Sequence, residues 1–210
     1  MSFDVDVSRT IGDARVGACF TAGLGLTVLF GTSGAGKSSV LAMVAGLLRP
    51  DAGHVRVAGE TLFAAAAGID VPAHKRRLGT VFQDGRLFTH YRVRANLLYG
   101  YHLAAPADRW IEPDAVCALL GIGDLLGRWP RSLSGGEAQR VAIGRALLSG
   151  ARALLMDEPL ASLDPARRDE IMTVIVRIRD ELGLPILYVT HDMREADRLA
   201  THRFEVRRLA

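Results

Sequence analysis

Only two cysteines, Cys19 and Cys117, occur in 210 residues, and they form no C-x-x-C pair. A disulfide framework and a thiolate metal site are both excluded on that count, and the two side chains are expected to be buried, reduced thiols. No uninterrupted apolar run approaches the roughly 20 residues needed to cross a bilayer. The first residues show no charged-then-apolar leader. Membrane association is therefore expected to come through a partner. An excess of one charge is also missing: 26 Lys and Arg stand against 23 Asp and Glu, which gives no argument for nucleic acid as a partner. Hydrophobic residues, by contrast, make up 49% of the chain, enough for one α/β domain with a substantial core.

Gly31-Thr32-Ser33-Gly34-Ala35-Gly36-Lys37-Ser38, followed by Ser39, matches G-x-x-x-x-G-K-S/T, a loop that cradles nucleotide phosphates. Leu26 to Phe30 before it reads as a buried strand. Val40, Leu41, Val44, Leu47 and Leu48 after it have helical spacing, and Pro50 is expected to stop that helix. Glycines let backbone N–H groups approach phosphate oxygens, and the helix N-terminus adds a positive dipole end. Lys37 is expected to reach the β- and γ-phosphates, and Ser38 to hold Mg²⁺.

Phe3, Val5 and Val7 alternate with Asp4 and Asp6, as a half-exposed strand does. With Val16 to Phe20 and His54 to Val57 they predict a small antiparallel sheet beside the core. Four other strands are mostly apolar, as in a parallel sheet buried on both faces. They are Leu26–Phe30, Gly79–Phe82, Ala153–Met156 and Ile186–Thr190, and they lead into Gly31, Gln83, Asp157-Glu158 and His191. Ligands sit at the carboxyl ends of such strands, so one rim should gather these polar residues into a nucleotide-hydrolysing site. Asp157 is expected to hold Mg²⁺ and Glu158 to be the general base.

Leu133-Ser134-Gly135-Gly136-Glu137 opens a helix that ends near Ser149-Gly150. Ser134 with Glu137 fits a capping box. Gly135 and Gly136 in its first turn are costly for a helix and predict a close approach there, a phosphate being the natural candidate. Asp164-Pro165 reads as N-cap and first position of a further helix.

Taken in order, the phosphate loop, Gln83, Leu-Ser-Gly-Gly-Glu, Asp157-Glu158, Ser162-Leu163-Asp164 and His191 resemble the ATP-binding cassette (ABC) ATPases over residues 22 to 198. The resemblance implies a P-loop α/β cassette with a mostly parallel core sheet, an antiparallel β subdomain and a helical subdomain over about 84–134. It implies ATP and Mg²⁺ as ligands and a homodimer packed head to tail. Ser134, Gly135 and Gly136 of one copy would then meet the γ-phosphate of the ATP held by Lys37 of the other. His191 would contact the γ-phosphate in cis, Gln83 the Mg²⁺ and the water, and Asp164 the dimer interface. The implied partners are transmembrane permease subunits and, through them, a periplasmic or extracellular substrate-binding protein, with the cassette at the cytoplasmic face of the inner membrane. Cassettes that act as clamps on DNA or ribosomes carry a coiled-coil insertion or two cassettes per chain, and neither is present.

Arg77 to Phe88, with Val-Phe-Gln-Asp-x-Arg-Leu-Phe inside it, resembles the ATPase subunits of molybdate importers. That family implies import of molybdate or a related oxyanion. Three departures carry expectations. The usual C-terminal β-rich oxyanion-binding domain is not expected in this chain. The segment from Thr201 to Ala210 does not resemble the family's strand and turn after the histidine. No aromatic stands between Val7 and Gly12 to stack on adenine.

Overall fold

The structure, a computed structural model, describes residues 1–206. Strand β1 (Phe3–Ile11) pairs antiparallel with β2 (Ala14–Ala22) on one side and β4 (Ala52–Val57) on the other. With β5 (Glu60–Ala64) and β6 (Ile69–Asp70) they form an antiparallel sheet ordered β2-β1-β4-β5-β6. The alternation in β1 works as expected: Phe3, Val5 and Val7 face the core. In β2 the same alternation turns Cys19 outward, so one of the two thiols is exposed and Cys117 is only half-buried. The expectation of two buried cysteines is corrected on that ground.

The second sheet is wholly parallel. It comprises β3 (Leu26–Phe30), β7 (Leu78–Val81), β8 (Ala153–Asp157), β9 (Ile186–Thr190) and β10 (His202–Glu205), ordered β10-β3-β9-β8-β7. All of β9 is buried, which explains its unbroken apolar run. Strand β10 corrects the reading of the tail. His202 to Glu205 alternates between half-buried and exposed positions and pairs with the open edge of β3. Residues 207–210 of that segment lie outside the described residues.

Helix α1 (Lys37–Ala45) is wedged between the two sheets, with Val40, Met43 and Val44 in a cluster that includes Phe3, Val5, Leu155 and Leu187. It ends at Gly46, not at Pro50. Gly46 has φ 76, and a Cβ there would lie 2.4 Å from the Arg76 Nε. The fully buried Arg76 guanidinium donates to the carbonyls of Met43 and Val44 at 3.0 and 2.9 Å, closing the helix where its dipole is negative. Leu47, beyond this stop, is largely exposed.

On the opposite face of the parallel sheet lie α4 (Gly135–Leu148) and α5 (Pro165–Leu182), with α6 (Met193–Leu199) near the edge. Asp164 caps α5 by accepting from the Arg167 N–H at 3.1 Å, with Pro165 at its first position. Between β7 and α4 the chain is mainly helical: α2 (Val93–Leu103), α3 (Pro113–Leu120) and short 3₁₀ turns. Both helices pack on α4 through Leu97, Val116, Leu120 and Ile143.

Candidate active site

The phosphate loop lies where β3 ends and α1 begins. No side chain caps α1, and no acidic residue stands in its first turn. Its orphan N–H groups are therefore free for an anion. Gly36 has φ 95, and a Cβ there would stand 2.8 Å from Val16 Cγ1. A larger residue would be strained and would also collide with the hairpin that flanks the loop.

Lys37 is buried, with 4% of its surface exposed. Its ammonium donates to the Gly31 and Thr32 carbonyls at 2.8 and 3.1 Å and lies 3.9 Å from Glu158 Oε1. Those carbonyl bonds are ones that phosphate oxygens can replace. Ser38 Oγ donates to Asp157 Oδ1 at 2.8 Å. Burial pushes the Asp157 carboxyl above its usual range and the Glu158 charge adds to this, against the Ser38 bond and Lys37. The Ser38 hydroxyl and this half-buried carboxylate make an oxygen pair that fits Mg²⁺. That ion binds through one or two carboxylates and completes its shell with substrate phosphates and water. Among the described residues no group of three or more His, Cys, Asp or Glu could hold a metal alone.

Glu158 follows β8 in a left-handed conformation, φ 43, with its N–H donating to the Val189 carbonyl at 3.0 Å. Such strain in a non-glycine residue is found where surrounding structure over-determines the backbone, and it gathers at functional sites. Its Oε2 lies 3.0 Å from His191 Nδ1. The structure thus brings Lys37, Ser38, Asp157, Glu158 and His191 to one rim. Behind His191 stands a support that was not legible in the sequence. Buried Glu195 accepts from Tyr188 Oη at 2.8 Å and Thr190 Oγ1 at 2.7 Å, while the Asp192 N–H donates to Thr190 Oγ1. The cluster fixes the backbone on both sides of His191.

Gln83, just past β7, is exposed, and its side chain joins none of these bonds. Ser134 is the N-cap of α4 in a complete capping box: the Glu137 N–H donates to Ser134 Oγ at 3.3 Å, and the Ser134 N–H to Glu137 Oε2 at 2.7 Å. Gly135 has a close neighbour in cis, because a Cβ there would lie 3.0 Å from Leu163. Gly136 meets Arg167 only at ordinary contact distance. Neither these glycines nor Ser134 line the cavity at the phosphate loop.

That cavity, about 420 Å³, runs from Ser33, Gly34, Ser38, Ser39 and Glu158 up to Ile11, Ala14 and Val16 at the β1–β2 hairpin. An aliphatic lip therefore stands beside the loop. Residues 7–12 hold no aromatic, and Ile11 before the hairpin turn meets Ala14 and Val16 after it only in the fold.

The family model described as ABC transporter matches residues 22–161. The molybdenum import ATP-binding protein ModC of Mesorhizobium japonicum is 54% identical over 201 residues, covering 96% of this chain and 54% of its own. The protein of the same name from Rhodospirillum rubrum is 55% identical over 197 residues, 94% of this chain and 53% of that one. The chain thus spans about half the length of the curated relatives it matches. Among solved structures, cbiO1 from Clostridium perfringens, described as part of the ABC transporter complex cbiONQ, aligns with a TM-score of 0.81. Identity there is 25%, over 100% of this chain and 88% of that one. The dimeric structure of MJ0796, a bacterial ABC transporter cassette, gives a TM-score of 0.76 at 22% identity, covering 98% and 93%. This last likeness speaks to the fold alone.

Proposed function

Because the chain belongs to the ABC transporter family, we propose that it is the ATP-binding and ATP-hydrolysing subunit of a molybdate importer. The observation that carries the reading is the set of bonds joining Lys37, Glu158 and His191 beside the Ser38–Asp157 pair, above an uncapped helix N-terminus. The adenine ring rests against Ile11 and Val16, by burial of aliphatic surface. Residues 31–39 wrap the phosphates with backbone N–H groups, and the Lys37 ammonium moves from the loop carbonyls to the β- and γ-oxygens. Ser38 and Asp157 would hold Mg²⁺, and Gln83 would complete the set. When bound, the ion neutralises charge on the phosphates. Glu158 takes the proton of the attacking water, and His191 orients its carboxylate from the opposite side to Lys37.

Ser134, Gly135 and Gly136 reach a γ-phosphate only from a second copy, in a head-to-tail homodimer. No helix among the described residues is long and apolar enough to cross a membrane. By homology to proteins named for molybdenum import, the cassette works against permease subunits at the cytoplasmic face of the membrane, which an external substrate-binding protein supplies with the oxyanion. The groove of about 780 Å³ lined by Tyr91, Ala95, Leu98, Tyr99, Leu103 and Leu126 is the surface for the permease. The domain arrangement is one cassette with its helical part over about 84–134. Homology to proteins named for molybdenum import supports molybdate as cargo.

The test pairs Glu158→Gln with transport. The variant should bind Mg-ATP, stop hydrolysing it and elute as a dimer. Hydrolysis at the parental rate would remove Glu158 from the role of base. In vesicles holding the whole importer, ATP-driven molybdate uptake should be suppressed more by tungstate than by sulfate, and the reverse order would reassign the cargo.

A further inference from the structure

The Arg145 side chain has no part in the site above, yet it is half-buried and joins three elements. Its Nη1 donates to the Arg86 carbonyl at 2.7 Å and its Nη2 to the Gly85 carbonyl at 2.9 Å. Its guanidinium carbon lies 5.1 Å from the Phe88 ring centroid. Burial pulls its pKa down, and no carboxylate among the described residues opposes this. A half-buried cation with no carboxylate partner is a costly way to fill space. Two carbonyls and a ring face hold it here.

The carbonyls it grips belong to a strained turn. Gly85 has φ 65 and Arg86, which is not glycine, φ 44. The Gly85 N–H donates to the Phe82 carbonyl and the Arg86 N–H to the Asp84 carbonyl, at 2.9 and 2.8 Å. Two successive left-handed residues put both carbonyls within reach of one planar fork. Gln83 is the second residue of this turn, which opens at Phe82. A second donor waits beside it: Gln139, 5% exposed, has a buried amide nitrogen with no protein partner, and its Oε1 would lie 3.8 Å from a Gly85 Cβ. Arg145 and Gln139 are both on α4, the helix that Ser134 caps.

The other side of Arg145 leads to the groove. Phe88 packs against Tyr99 and Tyr91 at 4.7 and 5.8 Å between ring centroids, and both tyrosines line it. Buried Asn96 pins Phe88 by accepting from its N–H at 2.8 Å and donating to its carbonyl at 3.0 Å. The far end of the segment is thus fixed, and 83–87 is the part free to change.

We propose that Arg145 is a positioning residue that latches the turn holding Gln83 to α4, so that nucleotide at the phosphate loop and the helix presenting Ser134 respond together. The proposal rests on the ATP reading for its nucleotide dependence. Arg145 touches no phosphate and acts through Gly85 and Arg86. A chain of contacts by itself is no proof of coupling, so the test reads coupling directly.

Amide hydrogen exchange is followed on the full chain carrying Glu158→Gln, with Arg145, Arg145→Met or Arg145→Lys, with and without Mg-ATP. Three segments are compared: 31–39, 83–88 and 134–139. Without nucleotide, Arg145→Met should speed exchange over 84–88 by about tenfold or more, the scale of losing charge-assisted bonds. Arg145→Lys, with one point charge in place of a fork, should fall between. With Mg-ATP, 31–39 should slow in all three proteins, while the slowing at 134–139 should vanish in Arg145→Met only. A residue that merely fills space would leave that nucleotide-dependent difference intact, and such a result overturns the proposal. Should Arg145→Met fail to fold, an Arg145→Lys protein with parental exchange at 84–88 overturns it equally. If Mg-ATP does not slow 31–39 even with Arg145 present, the ATP reading falls, and the coupling with it. The nucleotide-free difference at 84–88 still reports the latch separately.

Discussion

Glu158 offers a way to measure the strain that the site stores. Its φ of 43 is a conformation that disfavours an L-residue by about 1–2 kcal/mol. Comparing Glu158→Gly with Glu158→Gln reads this term. Both remove the negative charge beside Lys37 at 3.9 Å and His191 at 3.0 Å, and the amide that glutamine keeps there works against the glycine variant. Glycine relieves about 1–2 kcal/mol of backbone strain and gives back about 0.5–1 kcal/mol through its freer unfolded chain. The difference should favour glycine by about 0–1.5 kcal/mol, centred on about 0.75 kcal/mol. For a chain of 210 residues, 1 kcal/mol moves the melting temperature by about 2–4 °C. Nucleotide-free calorimetry should therefore place Glu158→Gly about 1–4 °C above Glu158→Gln. At an ordinary strand or helix position the order is the reverse. A glycine variant that melts with or below the glutamine variant would show that residue 158 is not strained, and the link drawn here between its backbone and its chemistry would fail.

Lys37→Ala should weaken Mg-ATP binding by about 1.5–3 kcal/mol, the scale of hydrogen bonds to a charged group, or roughly 10- to 150-fold in Kd by titration calorimetry. Unchanged affinity would take Lys37 off the phosphates. Ser134→Ala should lower stability by about 1 kcal/mol, read from urea midpoints, through loss of the cap. Glu137→Gln should be pH-dependent. The Ser134 backbone N–H holds the Glu137 carboxyl below its usual range, so its contribution is present above the unfolded pKa and lost as pH falls through the lower folded value. The variant should be the weaker protein near neutral pH and approach the parental chain in acid. A deficit of equal size in acid would contradict the assignment.

Much of the site was legible because its signals are local. The phosphate loop follows its strand directly, the capping box spans four consecutive residues from Ser134 to Glu137, and Asp164-Pro165 announces α5. The antiparallel and parallel sheets were legible from alternating and unbroken apolar runs. What escaped depends on distant neighbours. Strand β10 forms because β3 has an edge to cover, which no feature of His202 to Glu205 declares. Helix α1 stops at Gly46 because Arg76, 30 residues later, occupies the space beyond it. Helix α2 contains Gly100 and His102, and packing against α4 decides it. Fully buried Arg76 and half-buried Arg145 have no local signal either, since arginine is rarely buried. Their carbonyl partners come from remote segments.

The parallel sheet also divides the interior in a way that single substitutions can exploit. In β8, Leu154 and Met156 belong to the core shared with α4 and α5, while Ala153 and Leu155 belong to the core around α1. Adjacent letters of one strand therefore address different halves of the molecule. A cavity cut at Leu155 loosens the bed of the nucleotide helix, and one cut at Leu154 loosens the floor beneath the helical face. The strand is a partition wall, and each side can be softened while the other stays firm.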